Sequence, residues 1–314
     1  MTQLNLFLAL IFSLNIFITG GTGFLGKNLI PSLISRQNKI FLYKRAKSDI
    51  SFYEKYMQNI TFISEGEVED SFSKYSIDVV IHLATNYGNE RGSKDLANSN
   101  VYFPTKILQL AILHNVSTFI NTDTFFSKEI YSLGYKKDYV QSKRSFLEKL
   151  HSQKNDIKFI NVRLEHVFGP NDKSSKFVEM LFIKIMQADE GETINLSSCS
   201  QKRDFIYVDE VIYAYKKILQ KLDLINSGTE FQVGAGQCIT VKNFVNNLQE
   251  ILLSKLKKNI KINFKESLDR PGEIMESKAD IAELKNIGWA VKKDLSQNLE
   301  TYVNSMLKIY KNNQ

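Results

Sequence analysis

The stretch Thr19-Gly20-Gly21-Thr22-Gly23-Phe24-Leu25-Gly26 constrains this chain more than any other. It follows an apolar run, Leu14-Asn15-Ile16-Phe17-Ile18, that reads as a buried strand, and it precedes a segment with Leu29, Leu33 and Ile34 on one helical face. Glycines at 20, 23 and 26 have the strand–turn–helix spacing of a dinucleotide fingerprint. The first permits a tight turn. The second lets backbone approach a pyrophosphate, and the third lets helix pack on strand, with the helix N-terminus facing the phosphate charge. A glycine pattern alone is weak evidence. Its position here, and a Tyr139–Lys143 pair further on, give it weight.

The first half alternates apolar runs with amphipathic segments, which predicts an α/β fold built on a Rossmann doubly wound parallel sheet. Strands are expected at 39–43, 60–63, 78–83, 117–122 and 157–163, with a helix over 102–114. After Gly169-Pro170 the pattern loosens. Residues 177–186 read as helical, and Thr240 caps a helix that buries Val241, Phe244, Val245, Leu248, Ile251 and Leu252. The expected division is a nucleotide-binding domain over 1–165 and a smaller, mainly substrate-binding C-terminal region over 166–314, with 203–234 returning to the sheet.

Composition excludes several classes. At 314 residues and 43% apolar content the chain can bury a sizeable core. The net charge of +7 would suit nucleic acid, an anionic membrane or an anionic small molecule. Runs such as Lys255-Leu256-Lys257-Lys258 have no aromatic neighbours for base stacking, so they read as a solvated helix end rather than a nucleic-acid patch. A diphosphate substrate accounts for the charge equally well. Two cysteines, Cys199 and Cys238, make no disulfide framework, and four scattered histidines lack metal-ligand spacing, so no metal is expected. Leu4 to Ile18 is nearly all apolar, but no basic residue precedes it, and its end must serve as the first strand. Residues 1–13 therefore read as an extra N-terminal segment of a cytoplasmic protein without a membrane span, a peripheral anchor being the alternative.

Chemistry is expected at Tyr139-Val140-Gln141-Ser142-Lys143. Tyr and Lys four apart share a helix face. A phenol with a pKa of about 10 is a poor base at neutral pH, and a nearby ammonium lowers that value. An ordinary exposed helix face would show the same spacing. A hydroxyl for the reacting carbonyl is expected where a strand ends, in Asn121-Thr122-Asp123-Thr124-Phe125-Phe126, with Thr122 the first choice and Thr124 the second.

Together the glycine turn, the strand-end threonine and the YxxxK pair resemble the extended short-chain dehydrogenase/reductase family, whose members act on nucleotide sugars. Further motifs extend the resemblance from about residue 14 to 305: Arg163 to Pro170, Arg203-Asp204-Phe205-Ile206-Tyr207-Val208-Asp209, Arg270-Pro271-Gly272-Glu273 and Ile287-Gly288-Trp289. Within the family, Asn121 to Phe125 and Arg163 to His166 are most similar to abequose-synthase-like 4-ketoreductases. The resemblance implies that Gly20, Thr22, Gly23, Phe24, Leu25 and Gly26 line the pyrophosphate. It implies that Glu67 and Val68 hold the adenine, that Leu83, Ala84 and Thr85 follow the cofactor, and that Asn100 lies near the reactive centre. Lys143 would reach the nicotinamide ribose beside Tyr139. Arg203 and Arg270 would grip the substrate diphosphate, unless they form surface ion pairs. His166 stands where many members have an Asn near those phosphates, and it either donates there or is a satisfied half-buried residue. The resemblance also implies a homodimer through the Tyr139 helix and its neighbour.

Two departures bear on function. The second strand ends in Tyr43-Lys44-Arg45, with no acid for the adenosine ribose, so NADP(H) is favoured over NAD(H). Sugar-nucleotide dehydratases usually follow Thr-Asp with Glu, whereas here Thr124 stands there, which argues against elimination. The expected reaction is therefore NAD(P)-dependent reduction of a nucleotide-linked 4-keto-6-deoxy sugar for surface polysaccharide. A C4 epimerase is the alternative. A non-catalytic dinucleotide sensor is disfavoured by the Tyr–Lys pair.

Overall fold

The apolar runs of the first half become the interior of one parallel sheet. A computed structural model describes residues 13–34, 38–88, 93–128 and 136–312. The sheet-forming strands are β1 (Asn15–Thr19), β2 (Lys39–Tyr43), β3 (Ile60–Ile63), β4 (Val79–His82), β5 (Thr118–Thr124) and β6 (Lys158–Leu164). Between and after them lie α1 (Phe24–Ile34), α2 (Val68–Lys74), α3 (Ser93–Ala97), α4 (Phe103–Leu113) and α5 (Lys137–Ser152). Along each strand alternate residues face opposite cores. Ile16, Ile18, Val79, Ile81, Ile120, Ile160 and Val162 face one side. Phe17, Val80, Phe119 and Phe159 face the other, against Phe146 and Leu150 of α5.

The later chain adds the short strands β7 (His166–Phe168), β8 (Thr193–Ser197), β9 (Lys202–Arg203), β10 (Phe205–Tyr207), β11 (Thr229–Val233), β12 (Ile239–Thr240) and β13 (Lys261–Lys265). Its helices are α6 (Phe177–Gln187), α7 (Val208–Gln220), α8 (Val241–Leu256), α9 (Ala282–Asn286) and α10 (Leu295–Asn312). β10 pairs with β7, β13 with β8, and β12 with β9. β11 instead joins the main sheet beside β6, giving the order β11-β6-β5-β4-β1-β2-β3 with every pairing parallel. The order reverses between β1 and β4, so a crevice opens above their carboxyl ends, where ligands bind in such sheets.

Two local features shape the site. β5 runs to Thr124, two residues beyond the end expected from sequence, because β6 pairs with it as far as Leu164 opposite Thr124. A π-helical turn, Asn98–Tyr102, precedes α4 and buries Asn100. The 1–13 segment lies, but for Ser13, outside the described residues. Among the described residues no helix is long and apolar enough to cross a membrane.

Candidate active site

The glycine turn closes as its spacing requires. Gly23 donates its N–H to the carbonyl of Gly20 at 3.0 Å. Gly20 has φ +72°, and a Cβ there would sit 2.4 Å from the nitrogen of Ala84. A Cβ on Gly26 would come within 2.1 Å of the Gly21 oxygen, so α1 packs against the turn only because residue 26 has no side chain. Around exposed Gly23 the sole neighbour of such a Cβ is the Gly20 oxygen at 3.2 Å, which leaves the crest open at the N-terminus of α1. That open crest, lined by Thr22, Phe24 and Leu25, has the shape and dipole for a dinucleotide pyrophosphate. Tyr53 braces the turn from a distant segment, donating its buried hydroxyl to the Gly21 carbonyl at 2.6 Å. Beneath it, Thr19 Oγ and His82 Nδ1 are 2.7 Å apart, and burial pushes the imidazole pKa down to about 3.

At the adenosine end, Lys44 follows β2 half-buried and Arg45 is exposed. Val68 is buried at the start of α2. The Glu67 carboxylate, for which the resemblance implies an adenine-holding role, is engaged within its own turn. It turns back to accept from Ser64, 2.9 Å from the backbone nitrogen and 2.5 Å from the hydroxyl, in a capping box.

Asn100 is buried against the helix that carries the Tyr–Lys pair. Its amide is committed to protein: its oxygen accepts from the Asn86 N–H at 2.8 Å, and its nitrogen donates to the Asn86 carbonyl at 2.8 Å and to Ser142 Oγ at 3.0 Å. It thereby fastens the loop Leu83-Ala84-Thr85-Asn86-Tyr87 to the helix that carries Tyr139 and Lys143.

Those two residues are 4% exposed each. Lys143 donates to the backbone carbonyl of Thr122 at 2.7 Å, and burial lowers its pKa. Tyr139 is raised well above the usual phenol value, chiefly by burial and then by Tyr87 and Asp123. Hydrogen bonds from Thr85 and Thr124 pull it the other way. Of the two β5 threonines, Thr124 is the one whose hydroxyl meets the phenol. Thr122, the first choice from sequence, places its Oγ 2.6 Å from the Tyr215 hydroxyl on the face covered by α7. The cause is the longer β5, which leaves Thr122 within the strand and Thr124 at its end.

Aromatic rings wall the centre. Tyr87 lies over Tyr139 at 5.2 Å between centroids, with the Lys176 ammonium 3.5 Å from the Tyr87 ring. Phe126 packs on the cluster of Leu96, Tyr139 and Val140, and the His166 ring lies tilted against Phe125 at 4.3 Å between centroids. His166 has a buried Nδ1 without a partner among the described residues, and burial, Arg203 and Lys176 hold the ring well below its ordinary pKa. Arg203 is buried and paired with Glu273 at 2.5 Å rather than with Asp204, whose carboxylate accepts from the backbone of Ala235, Gly236 and Ala279. Arg270 is exposed and adds to burial in lowering the pKa of the Lys136 ammonium. Sequence reading missed Tyr53, Tyr87 and Lys176, none of which sits in a motif.

A glycine cradle at a switch point, with a buried Tyr–Lys pair and a hydroxyl at the next strand end, defines a dinucleotide-dependent enzyme of the extended short-chain dehydrogenase/reductase class. A model of the NAD dependent epimerase/dehydratase family matches residues 16–234, and the chain belongs to that family. It is 32% identical over 292 residues to CDP-abequose synthase of Salmonella typhimurium, covering 91% of this chain and 96% of that one. It is 34% identical over 283 residues to CDP-abequose synthase of Salmonella muenchen, covering 88% and 92%. Among solved structures, UDP-glucuronic acid 4-epimerase of Bacillus cereus, in complex with UDP-glucuronic acid and NAD, aligns over 95% of this chain and all of that one, with a TM-score of 0.79 at 20% identity, a likeness of fold.

Proposed function

We propose that the protein reduces the C4 carbonyl of a nucleotide-linked 4-keto-6-deoxy sugar, in the biosynthesis of a surface-polysaccharide sugar. The observation that carries this reading is the buried Tyr139–Lys143 pair, with the phenol hydrogen-bonded to the hydroxyls of Thr85, in the loop after β4, and Thr124, at the end of β5. Reduction needs an acid at that place, because the carbonyl oxygen takes up a proton as hydride reaches the carbon. The relatives named CDP-abequose synthase support the same reading and point to a CDP-linked sugar.

A nicotinamide dinucleotide bound on the glycine turn supplies the hydride. Thr124 donates to the substrate carbonyl oxygen and polarises it, Tyr139 delivers the proton, and Lys143 holds the ribose hydroxyls and favours the phenolate once the proton has left. Among the residues described at the end of β5, none places a carboxylate where the dehydratases carry Glu. Asp123 is committed to Ser127, Asn161 and Arg163, and the residues after Thr124 are Phe125 and Phe126. We assign Arg203, Arg270 and a neutral His166 to the substrate diphosphate, and Lys44 and Arg45 to a 2′-phosphate, which makes NADP(H) the preferred cofactor. Asn100, and Tyr53 outside any motif, act by positioning. We also infer a cytoplasmic homodimer joined through α5 and α4.

The test is to supply purified protein with NADPH or NADH and a panel of 4-keto-6-deoxy nucleotide sugars, following loss of reduced-nicotinamide absorbance. Stoichiometric oxidation with one CDP-linked ketosugar is expected. No oxidation with any of them, together with interconversion of ordinary nucleotide hexoses without added cofactor, would move the assignment to a C4 epimerase.

A further inference from the structure

The sheet face beneath α5 carries a row of charge that the reaction described above does not use. Asp123 Oδ2 accepts from Ser127 Oγ at 2.7 Å, from Arg163 Nε at 3.3 Å and from Asn161 Nδ2 at 3.3 Å. Arg163 in turn pairs with Glu230 at 2.6 Å. These residues stand opposite one another in register, Asp123 facing Arg163 on β6 and Asn161 facing Glu230 on β11. Asp123 is 4% exposed, and its second oxygen, Oδ1, is buried with no hydrogen-bond partner among the described residues. The peptide that joins Asp123 to Thr122 bears the carbonyl that receives Lys143.

We propose that Asp123 is a positioning residue for Lys143: its carboxylate, clamped by Arg163, Asn161 and Ser127, is the fixed negative charge that keeps the buried ammonium charged and in place. The inference rests on reading Lys143 as the residue that grips the cofactor's nicotinamide ribose.

The need for such a charge follows from burial. An ammonium removed from water and given one neutral carbonyl tends to shed its proton. Among the described residues, His82 on β4 and Asp123 on β5 interact electrostatically with Lys143, and Tyr139 stands one turn before it on α5. His82 is neutral and brings no compensation, and Tyr139 is a phenol whose pKa burial raises. Asp123 on β5 is the carboxylate that opposes the effect of burial on Lys143. Its own clamp is graded: Arg163 offsets part of its charge, and Glu230 offsets part of that of Arg163. Glu230, Arg163, Asp123 and Lys143 thus alternate in sign from the half-exposed sheet edge to the reaction centre.

The experiment uses the intact protein and needs no sugar. Binding of NADPH or NADH, whichever is tighter, is followed by nicotinamide fluorescence from pH 6 to 10 for wild type and the variants Asp123→Asn, Arg163→Gln and Lys143→Met. In wild type the affinity falls as Lys143 loses its proton. In Asp123→Asn that fall should move down by about one to three pH units, the usual influence of one close opposite charge. In Arg163→Gln, where Asp123 acts on Lys143 with less competition, it should move up. Damage to packing would not shift two variants in opposite directions. An unmoved midpoint in Asp123→Asn, or both variants moving the same way, overturns the inference. The Lys143→Met variant should lack the fall altogether. If it retains the fall, the reading of Lys143 itself is wrong and the inference goes with it.

Discussion

Thr122 Oγ lies 2.6 Å from the phenolic oxygen of Tyr215, while the carbonyl of the same residue receives the Lys143 ammonium at 2.7 Å. The Thr122 carbonyl thus meets the Lys143 ammonium, while its side chain is bonded to Tyr215 of α7. The β5 hydroxyl that meets Tyr139 comes from Thr124, two residues further on.

This relationship separates two substitutions. Thr124→Val should lower kcat by about 100- to 1,000-fold, the usual effect of removing one donor to a developing oxyanion, with little change in thermal stability. Thr122→Val should keep most activity and lose about 1–3 kcal/mol of stability, because it leaves the buried Tyr215 hydroxyl without its partner. Steady-state kinetics and denaturant unfolding on both variants check this. The reverse pattern would return the catalytic role to Thr122.

Removing the acid gives a second prediction. Tyr139→Phe should reduce turnover by about 100- to 10,000-fold and leave cofactor affinity close to wild type, since α5 keeps Lys143 in place. Activity that survives in this variant rules out the assigned proton donor.

The cofactor preference is tested at the end of β2. Replacing Lys44 and Arg45 together by serine should weaken NADPH binding about tenfold or more and leave NADH binding nearly unchanged. Equal losses for both cofactors would show that these cations do not meet a 2′-phosphate.

The buried histidine under the glycine turn predicts a pH dependence of stability. His82 is held neutral in the fold, its pKa pushed down to about 3 from an ordinary 6.5. Below pH 6.5 the unfolded chain binds a proton that the folded chain refuses. His82 thus contributes stability that is fully present above pH 6.5 and is lost as pH falls toward 3, at about 1.4 kcal/mol per pH unit. The difference in unfolding free energy between wild type and His82→Gln should shrink with this slope across the window. A constant difference would mean that His82 titrates normally in the fold.

What could be read from the sequence follows the range of the interactions involved. Gly20 and Gly26 are legible because their constraint is local, a positive φ in one case and a missing Cβ in the other. Tyr139 and Lys143 are legible because four residues on a helix fix a shared face. The choice between Thr122 and Thr124 is not, because the end of β5 depends on how far β6 continues beside it, some 40 residues away. Glu67 shows a competition that was visible in principle: Ser64 stands three residues before it, and that spacing makes a capping box. Tyr53 and Tyr87 leave no signal, since each acts across the fold on a residue to which no periodicity links it.

β11 carries a further consequence. The chain leaves the nucleotide-binding sheet after β6, builds much of the wall opposite it, and then returns to lay Thr229–Val233 along the sheet's outer edge. Cutting at residue 165 would thus yield no self-sufficient half: it would bare the hydrogen-bonding edge of β6 and leave Arg163 without Glu230. An exchange of sugar specificity between relatives has to replace both the passage between β6 and β11 and the chain after β11, because β8 pairs with β13 and β9 with β12 across it, while keeping β11 itself in the sheet.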